Sequence, residues 1–200
     1  MQGMPPLKRG MEWDASASSS SAKFTDISTL SANLSNKGAV GKLIVQNGSH
    51  EWRVRFSQSD PDYWTFIGVA TTNFKRGSGL DTSGNGDSWY LWLKPTVCGL
   101  NAVGFGSNEI YREKGIKRYP QEVIVRLNLD MCTLSFVIDG VEKCAFRNLP
   151  RGMGMRLLAG TNTGDAVVKI LDYKQLSSCA LEGAAASADT PAAVAKVARM

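Results

Sequence analysis

Short hydrophobic runs that alternate with polar residues dominate the middle of the chain. In EWRVRFS, Trp52, Val54 and Phe56 alternate with two arginines. A two-residue period of this kind is typical of a β-strand that has one face on a core and the other in water. The same period recurs in EVIVRLNL and in TLSFVIDG, where it predicts the core positions Val123, Val125, Leu127, Leu129, Leu134, Phe136 and Ile138.

Other runs are apolar on both faces. WTFIGVAT (64–71) and WYLWL (89–93) are of this type, which favours strands inside a two-layer structure. MRLLAG (155–160) and AVVKILDY (166–173) add two more candidate strands. Helical periodicity with caps is absent from the middle of the sequence. We therefore predict an all-β fold, a two-layer antiparallel β-sandwich, over residues 24–176.

The two ends of the chain differ in composition from the middle. Residues 1–23 are Ser-rich and predict a disordered head, in which Trp13 could serve as a linear docking motif. Residues 177–200 are Ala-rich and predict a flexible tail. The sequence has no membrane-spanning run and no apolar block typical of a secretory signal. We expect a cytoplasmic protein with no membrane contact, and an organelle presequence remains an alternative.

The segment LNLDMCTLSFVIDGVEKCAFRNLP (127–150) combines acidic residues, cysteines and a glycine. Asp139-Gly140 is a strong hairpin signal, because a type I′ turn needs positive φ at both central positions. Asp130 stands in an earlier link, where we expect its carboxylate to accept hydrogen bonds from nearby backbone N–H groups. Calcium loops need oxygen ligands at alternate positions and a closing Glu, which this segment lacks. The sequence of this segment therefore predicts two successive hairpins.

Candidate catalytic and metal-binding residues are few. The cysteines, Cys98, Cys132, Cys144 and Cys179, show no CxxC spacing, so we expect reduced thiols and no metal. His50 is the one histidine, at the start of a predicted strand, and the sequence suggests no nucleophile and orienting group around it. The glycine-rich stretches match no phosphate-binding motif. We expect a protein without enzymatic activity and without a cofactor.

The segment 127–150 resembles the signature of SPRY (B30.2-like) domains, with a TLSF-type strand, an Asp-Gly hairpin and an AFRNLP-type segment in that order. GSHEWRVRF (48–56), IGVAT (67–71) and DSWYLWL (87–93) resemble further strands of that family. The resemblance covers about residues 38–173 and implies a β-sandwich that binds a peptide segment of another protein. By resemblance the contacts would come from loops at one end of the sandwich, near 32–41, 73–88, 94–106, 110–119 and 160–165.

Charge narrows the candidate contact residues. The formal net charge is +5, and residues 1–30 and 177–200 each balance to zero, so the excess lies in the predicted sandwich. Lys75-Arg76 and YREKGIKR (111–118) concentrate part of it, although such runs are also common as solvated loops. Exposed aromatic and Arg side chains often anchor interfaces. The predicted contacts are Phe74, Lys75, Arg76, Tyr111, Arg112, Lys117 and Arg118.

Two other functions remain open at this point. The basic middle could bind a nucleic-acid backbone, as a subunit of a ribonucleoprotein, in which case affinity would fall steeply with salt. Carbohydrate recognition rests only on the similarity of such sandwiches to lectins. The protein-binding hypothesis, with a monomeric chain acting as an adaptor or complex subunit, is the leading one.

Overall fold

Thirteen β-strands make up the regular structure of the described chain. The structure, a computed structural model, describes residues 9–31, 38–57, 65–74, 88–94, 99–103, 109–114, 121–161 and 166–177. The strands are β1 (Phe24–Asp26), β2 (Thr29–Ser31), β3 (Ala39–Val40), β4 (Ser49–Ser57), β5 (Thr65–Thr71), β6 (Ser88–Lys94), β7 (Gly99–Val103), β8 (Glu109–Lys114), β9 (Glu122–Asn128), β10 (Thr133–Ile138), β11 (Val141–Phe146), β12 (Met155–Thr161) and β13 (Val167–Leu176).

The strands form two antiparallel sheets that enclose one core. The seven-stranded sheet has the order β1-β2-β13-β4-β9-β10-β11, and the six-stranded sheet has the order β3-β12-β5-β6-β7-β8. Residues from both sheets, such as Trp52 and Phe136 of the first and Ile67 and Leu91 of the second, belong to one buried cluster. The predicted two-layer antiparallel β-sandwich is confirmed.

The alternating segments place their apolar residues as predicted. Trp52, Val54 and Phe56 of β4 are buried, whereas Arg53 and Arg55 between them are exposed. All seven core positions predicted around β9 and β10 are also buried. The two-residue period was sufficient to predict the buried positions of these strands, because one face of the seven-stranded sheet meets the core and the other meets water.

β5 is buried on both faces, as its unbroken apolar sequence predicts. On its outer side a second, smaller cluster forms on the six-stranded sheet, and Phe66 and Tyr90 belong to it. Gly68 pairs with Tyr90, and a Cβ at Gly68 would collide with the Trp89 carbonyl oxygen and with the backbone of Tyr90. The strand therefore needs a glycine here.

The two predicted hairpins of 127–150 are present. Asp139 and Gly140 have φ values of 50° and 79°, and Ile138 pairs with Val141 across a two-residue turn. In the first hairpin the prediction for Asp130 was wrong. Its carboxylate accepts the N–H of Gly48, 82 residues away, at 3.0 Å. The local hydrogen bond comes from the Met131 N–H to the Asn128 side-chain oxygen, at 2.9 Å.

The head of the chain differs from the prediction. Residues 9–23 lie on the sandwich rather than in a disordered segment, and Trp13 is only 5% exposed. The Trp13 indole N–H donates to the Ser28 carbonyl oxygen at 2.9 Å, and Trp13 pairs with Gly41 in an isolated antiparallel bridge. A buried tryptophan is unavailable as a docking motif. Its burial offsets the cost of ordering the polar residues around it.

Three predicted loops contain strands. β3 lies within 32–41, β7 within 94–106 and most of β8 within 110–119. β8 (EIYREK) is the edge strand of the six-stranded sheet, where charged residues are common and strict alternation is not required. The hydrophobic pattern therefore gave no signal for it. No helix capable of spanning a membrane occurs within the described ranges.

Candidate binding groove

Of the predicted contact residues, Phe74 alone has a described side chain. It follows β5, lies half-buried against the second cluster, and its N–H donates to the Thr71 carbonyl oxygen at 3.2 Å. Tyr111 and Arg112 are positioned on β8, where only the backbone is described. The remaining four, Lys75, Arg76, Lys117 and Arg118, lie outside the described residues.

The sheet order separates these residues into two groups. Because β5 to β8 are successive antiparallel neighbours, β5 and β8 run in opposite directions. Thr71, which precedes Phe74, and Lys114, which precedes Lys117, therefore lie at opposite ends of the six-stranded sheet. The described strands do not direct both segments to one end of the sandwich, as the resemblance had implied. Contact of these residues with a partner stays a prediction.

A groove formed by two adjoining cavities lies where the N-terminal segment meets the stretch before β4. The cavities have volumes of about 320 and 480 Å³. Both are lined by Arg9, Leu43 and Ile44, so they form one depression. We call it the N-terminal groove; its other lining residues are Gly10, Glu12, Lys42, Val45, Gln46, Asn47, His50, Tyr173 and Gln175.

The wall of the N-terminal groove is held by contacts between two distant segments. The Lys42 backbone N–H donates to the Glu12 carbonyl oxygen at 2.8 Å, and the Lys42 ammonium pairs with the Glu12 carboxylate at 2.8 Å. Gly10 has a φ of +91°, and a Cβ there would lie 2.5 Å from the Tyr173 ring. The backbone of Gly10 thus lies directly on that ring, which only a glycine permits.

His50 lies in the floor of the N-terminal groove and is 3% exposed. Its Nε2 is 2.7 Å from the Asn47 carbonyl oxygen and must donate, since a carbonyl only accepts. Its Nδ1, 2.9 Å from the Tyr173 hydroxyl, is then the acceptor in neutral imidazole. Burial lowers the pKa of His50, which favours this neutral form. Both ring nitrogens therefore have hydrogen-bond partners within the protein.

The mouth of the N-terminal groove is cationic beside an apolar wall. Burial raises the pKa of Tyr173, and the Arg9 guanidinium opposes that shift, which places its charge near the phenol. No carboxylate of the described chain forms an ion pair with Arg9. Ile44 is 43% exposed, and Leu43 beside it is half-buried. Such a surface can hold a negative group together with an aliphatic one.

Sequence reasoning missed the residues of the N-terminal groove. Arg9 stood in the predicted disordered head, and Leu43 and Ile44 stood outside the predicted contact loops. The available signal was Trp13, a large apolar residue in an otherwise polar segment, which often marks a point of attachment to a core. Metal ligation has no support in the described part of the chain, where no group of three or more His, Cys, Asp or Glu side chains is close enough to hold an ion.

The fold can be compared with solved structures. The crystal structure of the TRIM65 PSpry domain matches with a TM-score of 0.64 and 17% identity, over 82% of this chain and 90% of that one. The SPRY domain of human HERC1 matches with a TM-score of 0.64 and 14% identity, over 80% of this chain and 97% of that one. The stonustoxin structure matches with a TM-score of 0.60 and 13% identity, over 80% of this chain and 28% of that one.

The sequence matches no protein-family model and no curated protein. At 13–17% identity the structural matches establish the fold, and the B30.2 subtype stays a prediction. The two-sheet arrangement, the Asp139-Gly140 hairpin and these matches agree with the resemblance found in the sequence. The described part of the chain has a β-sandwich fold similar to that of SPRY domains.

Proposed function

We propose that this protein is a non-catalytic interaction module that binds a segment of another protein. The observation that carries the proposal is the N-terminal groove, an open depression on a SPRY-like sandwich with an exposed Ile44 beside Arg9. Concave sites with an apolar wall and a few polar groups are typical of binding sites. The SPRY resemblance implies the same class of function.

The chemistry of the N-terminal groove favours recognition over catalysis. Its one histidine has both ring nitrogens in structural hydrogen bonds, to Asn47 and to Tyr173. The described lining contains no Ser, Thr or Cys side chain that could act as a nucleophile. It does contain side-chain amides, those of Gln46, Asn47 and Gln175, which can donate to and accept from a peptide backbone.

Site-specific photocrosslinking in the native cell tests the proposal. A photoreactive amino acid replaces Ile44 in one chain, Arg76 in a second and Lys169, an exposed residue of β13, in a control. We expect a protein adduct at position 44 or 76 that is absent at position 169. Equal labelling at all three positions, or adducts at none of them, would contradict a protein-binding role for these surfaces.

The contacts predicted from the sequence form a second part of the proposal. Arg76 and Arg112 represent the two groups of residues, and we propose that each contributes to partner binding. Reversal of both to Glu is expected to weaken capture of the crosslinked partner, because Arg is enriched among the residues that dominate binding at the centre of interfaces. Undiminished capture would remove Arg76 and Arg112 from the proposed contacts and would leave the proposal for the N-terminal groove unchanged.

Nucleic-acid binding by the basic middle is the alternative, and it makes a separate prediction. Neutralised phosphates release counterions, so binding to RNA should be present at about 50 mM salt and fall steeply as salt rises. A fluorescence anisotropy titration of single-stranded RNA against the full chain measures this. Saturable binding that is stronger than the binding of any crosslinked protein would favour the alternative over the proposed function.

A further inference from the structure

We propose that the N-terminal groove binds an extended acidic peptide, with a carboxylate at Arg9 and an aliphatic side chain, two positions away, against Leu43 and Ile44. The inference rests on the proposed function and specifies its ligand. None of the residues that line this groove belongs to the loops implied by the SPRY resemblance.

Cations of the described chain differ in whether a carboxylate already pairs with them. Lys42, Arg55 and Arg126 each pair with a described carboxylate, at 2.8, 2.5 and 2.8 Å respectively. Arg9 is exposed and has no such ion pair in the described chain. A guanidinium holds a carboxylate through two parallel N–H···O bonds, a geometry that an open Arg can offer to an incoming ligand.

The groove does not repel a negative ligand. Glu12 is the one carboxylate among its lining residues, and its charge is offset by the Lys42 ammonium at 2.8 Å. Asp130, whose carboxylate accepts the Gly48 N–H at 3.0 Å, is not among the lining residues. The chain as a whole carries a formal charge of +5, which attracts acidic partners over a longer range.

The apolar wall of the groove favours an aliphatic side chain in the peptide. Four large hydrophobic residues of the described chain are exposed, and Ile44 is the one among them that lines the N-terminal groove. Both cavities share Ile44, Leu43 and Arg9, so the apolar and the cationic groups face the same ligand. An extended peptide directs residues i and i+2 to the same side, which sets the spacing of its carboxylate and its aliphatic side chain.

The floor of the groove is already ordered. His50 bonds Asn47 and Tyr173 at once, and the Tyr173 ring packs between Gly10 and the Trp52 ring, 5.4 Å away between centroids. A ligand would therefore meet a preformed surface and would not have to order the residues beneath it. Preformed sites bind with a smaller entropic cost, which makes a short peptide a feasible ligand.

The test uses four pools of fluorescent nine-residue peptides, with Glu-x-Leu, Gln-x-Leu, Lys-x-Leu or Glu-x-Ser at the centre and random flanking residues. Fluorescence anisotropy with the full chain measures their affinity. We expect the Glu-x-Leu pool to bind about tenfold more tightly than the Gln and Lys pools, because only a carboxylate forms a charge-assisted hydrogen bond with Arg9. It should exceed the Glu-x-Ser pool by about the same factor, because Ser buries no apolar surface against Leu43 and Ile44.

Two matched variants locate the site. Arg9→Glu is expected to weaken binding of the Glu-x-Leu pool at least tenfold. Arg53→Glu, a charge reversal at another exposed Arg, is expected to leave that affinity unchanged. Arg9→Lys should restore part of the loss because it retains the charge without the two-pronged geometry. Ile44→Ser should abolish the preference for Leu over Ser. Urea unfolding of each variant verifies that it is folded.

Several results would overturn the inference. Equal affinity for the Glu and Gln pools would place the ligand elsewhere. So would unchanged peptide affinity in the Arg9→Glu variant, or weaker peptide binding in the Arg53→Glu variant. A photocrosslink from position 44 to this chain's own residues 178–200 would identify an intramolecular occupant instead. These results would leave the proposed function intact if the crosslinked partner bound through another surface. The proposed function itself would fail if no protein adduct formed in the photocrosslinking experiment.

Discussion

Residues 127–150 and residues 9–31 are both rich in turns and polar side chains, yet they hold their shape by different means. In the first segment β10 pairs with β11 and with the preceding strand β9 over short connections, such as the turn that joins Ile138 to Val141. In the second segment the key partners are remote. The Asp14 N–H donates to the Val40 carbonyl oxygen at 2.8 Å, and the Ser18 hydroxyl accepts the Val40 N–H at 3.0 Å.

The difference shows how a Ser-rich segment can be ordered without a hydrophobic period of its own. Ser18 and Ser19 are only 0% and 2% exposed. The Ser19 N–H donates to the Gly38 carbonyl oxygen and the Ser18 hydroxyl accepts the Val40 N–H, whereas the Ser18 N–H and hydroxyl donate to the Asp14 carbonyl oxygen within the segment. The segment also forms one wall of the N-terminal groove through Arg9 and Glu12. If its packing is lost, the groove should be lost with it.

The largest expected effect comes from removing the tryptophan that anchors the N-terminal segment. Trp13→Ala should lower the free energy of unfolding by about 3–5 kcal/mol, the range for deletion of a large buried aromatic side chain. Urea denaturation at neutral pH measures this, with Phe136→Ala of the hairpin segment as the matched variant. A change below about 0.5 kcal/mol for Trp13→Ala would mean that the segment is not part of the core.

A smaller effect is expected from the two positive-φ glycines. Gly140→Ala should cost about 1–2 kcal/mol, the strain of a left-handed residue with a Cβ in open space. Gly10→Ala should cost more, because its Cβ would also lie 2.5 Å from Tyr173 Cγ and 3.0 Å from Leu43 Cδ2. Urea denaturation of both variants compares them. A Gly10→Ala variant as stable as Gly140→Ala would contradict the close packing of Gly10 on Tyr173.

Asp14 stabilises the turn that follows Trp13. Its carboxylate accepts the Ser16 N–H at 2.9 Å, the Ser16 hydroxyl at 2.6 Å and the Ala17 N–H at 3.1 Å. Burial raises the pKa of Asp14, but these hydrogen bonds, together with Arg156, outweigh it and lower the pKa below 3.8. Asp14→Ala should therefore cost about 0.5–2 kcal/mol at neutral pH, comparable to the loss of a capping side chain.

The sign of the pH dependence provides a check on Asp14. A lowered pKa means that its stabilisation is present above pH 3.8 and is lost as the pH falls through the native value. The stability difference between the wild-type protein and Asp14→Ala should thus shrink in acid. Asp130→Ala, which removes one described backbone hydrogen bond, should have a smaller effect at neutral pH. A larger loss for Asp130→Ala would reverse this ranking.

The smallest expected effect concerns His50 beneath the N-terminal groove. Burial lowers its pKa below 6.5, so the unfolded chain takes up the proton first as the pH falls. Stability should begin to decrease below about pH 7.5 and should continue to decrease until the pH is below the native pKa. His50→Gln should show a weaker dependence over this range in urea denaturation. An identical dependence in both proteins would mean that His50 is not buried in its neutral form.

The fold was largely predictable because its central strands follow simple physical rules. A strand between core and water alternates, as Trp52, Val54 and Phe56 do, and a type I′ turn needs residues such as Asp139-Gly140. Edge strand β8 escaped prediction because its sequence, EIYREK, is largely charged, and β3 escaped because two residues are too few to show a period. The acceptor of the Gly48 N–H, Asp130, lies too far along the chain for any local rule to find.

The candidate site was not predictable in the same way. Arg9, Ile44 and Tyr173 are separated by up to 164 positions in the sequence, and none of them shows a motif with its neighbours. The predicted contacts were chosen from local clusters of charge, and the described strands that precede those clusters, β5 and β8, end at opposite ends of the six-stranded sheet. A groove between segments depends on how they pack, which composition does not specify.

The sequence by itself determined the all-β class, the core faces of β4, β9 and β10 and the hairpin at Asp139-Gly140, because each depends on residues within a few positions of one another. Only the tertiary structure decided that the Ser-rich segment is ordered, that His50 is a buried neutral hydrogen-bond partner, and that Arg9 meets Ile44. These outcomes depend on burial and on hydrogen bonds between distant segments, and such contacts exist only once the chain has folded.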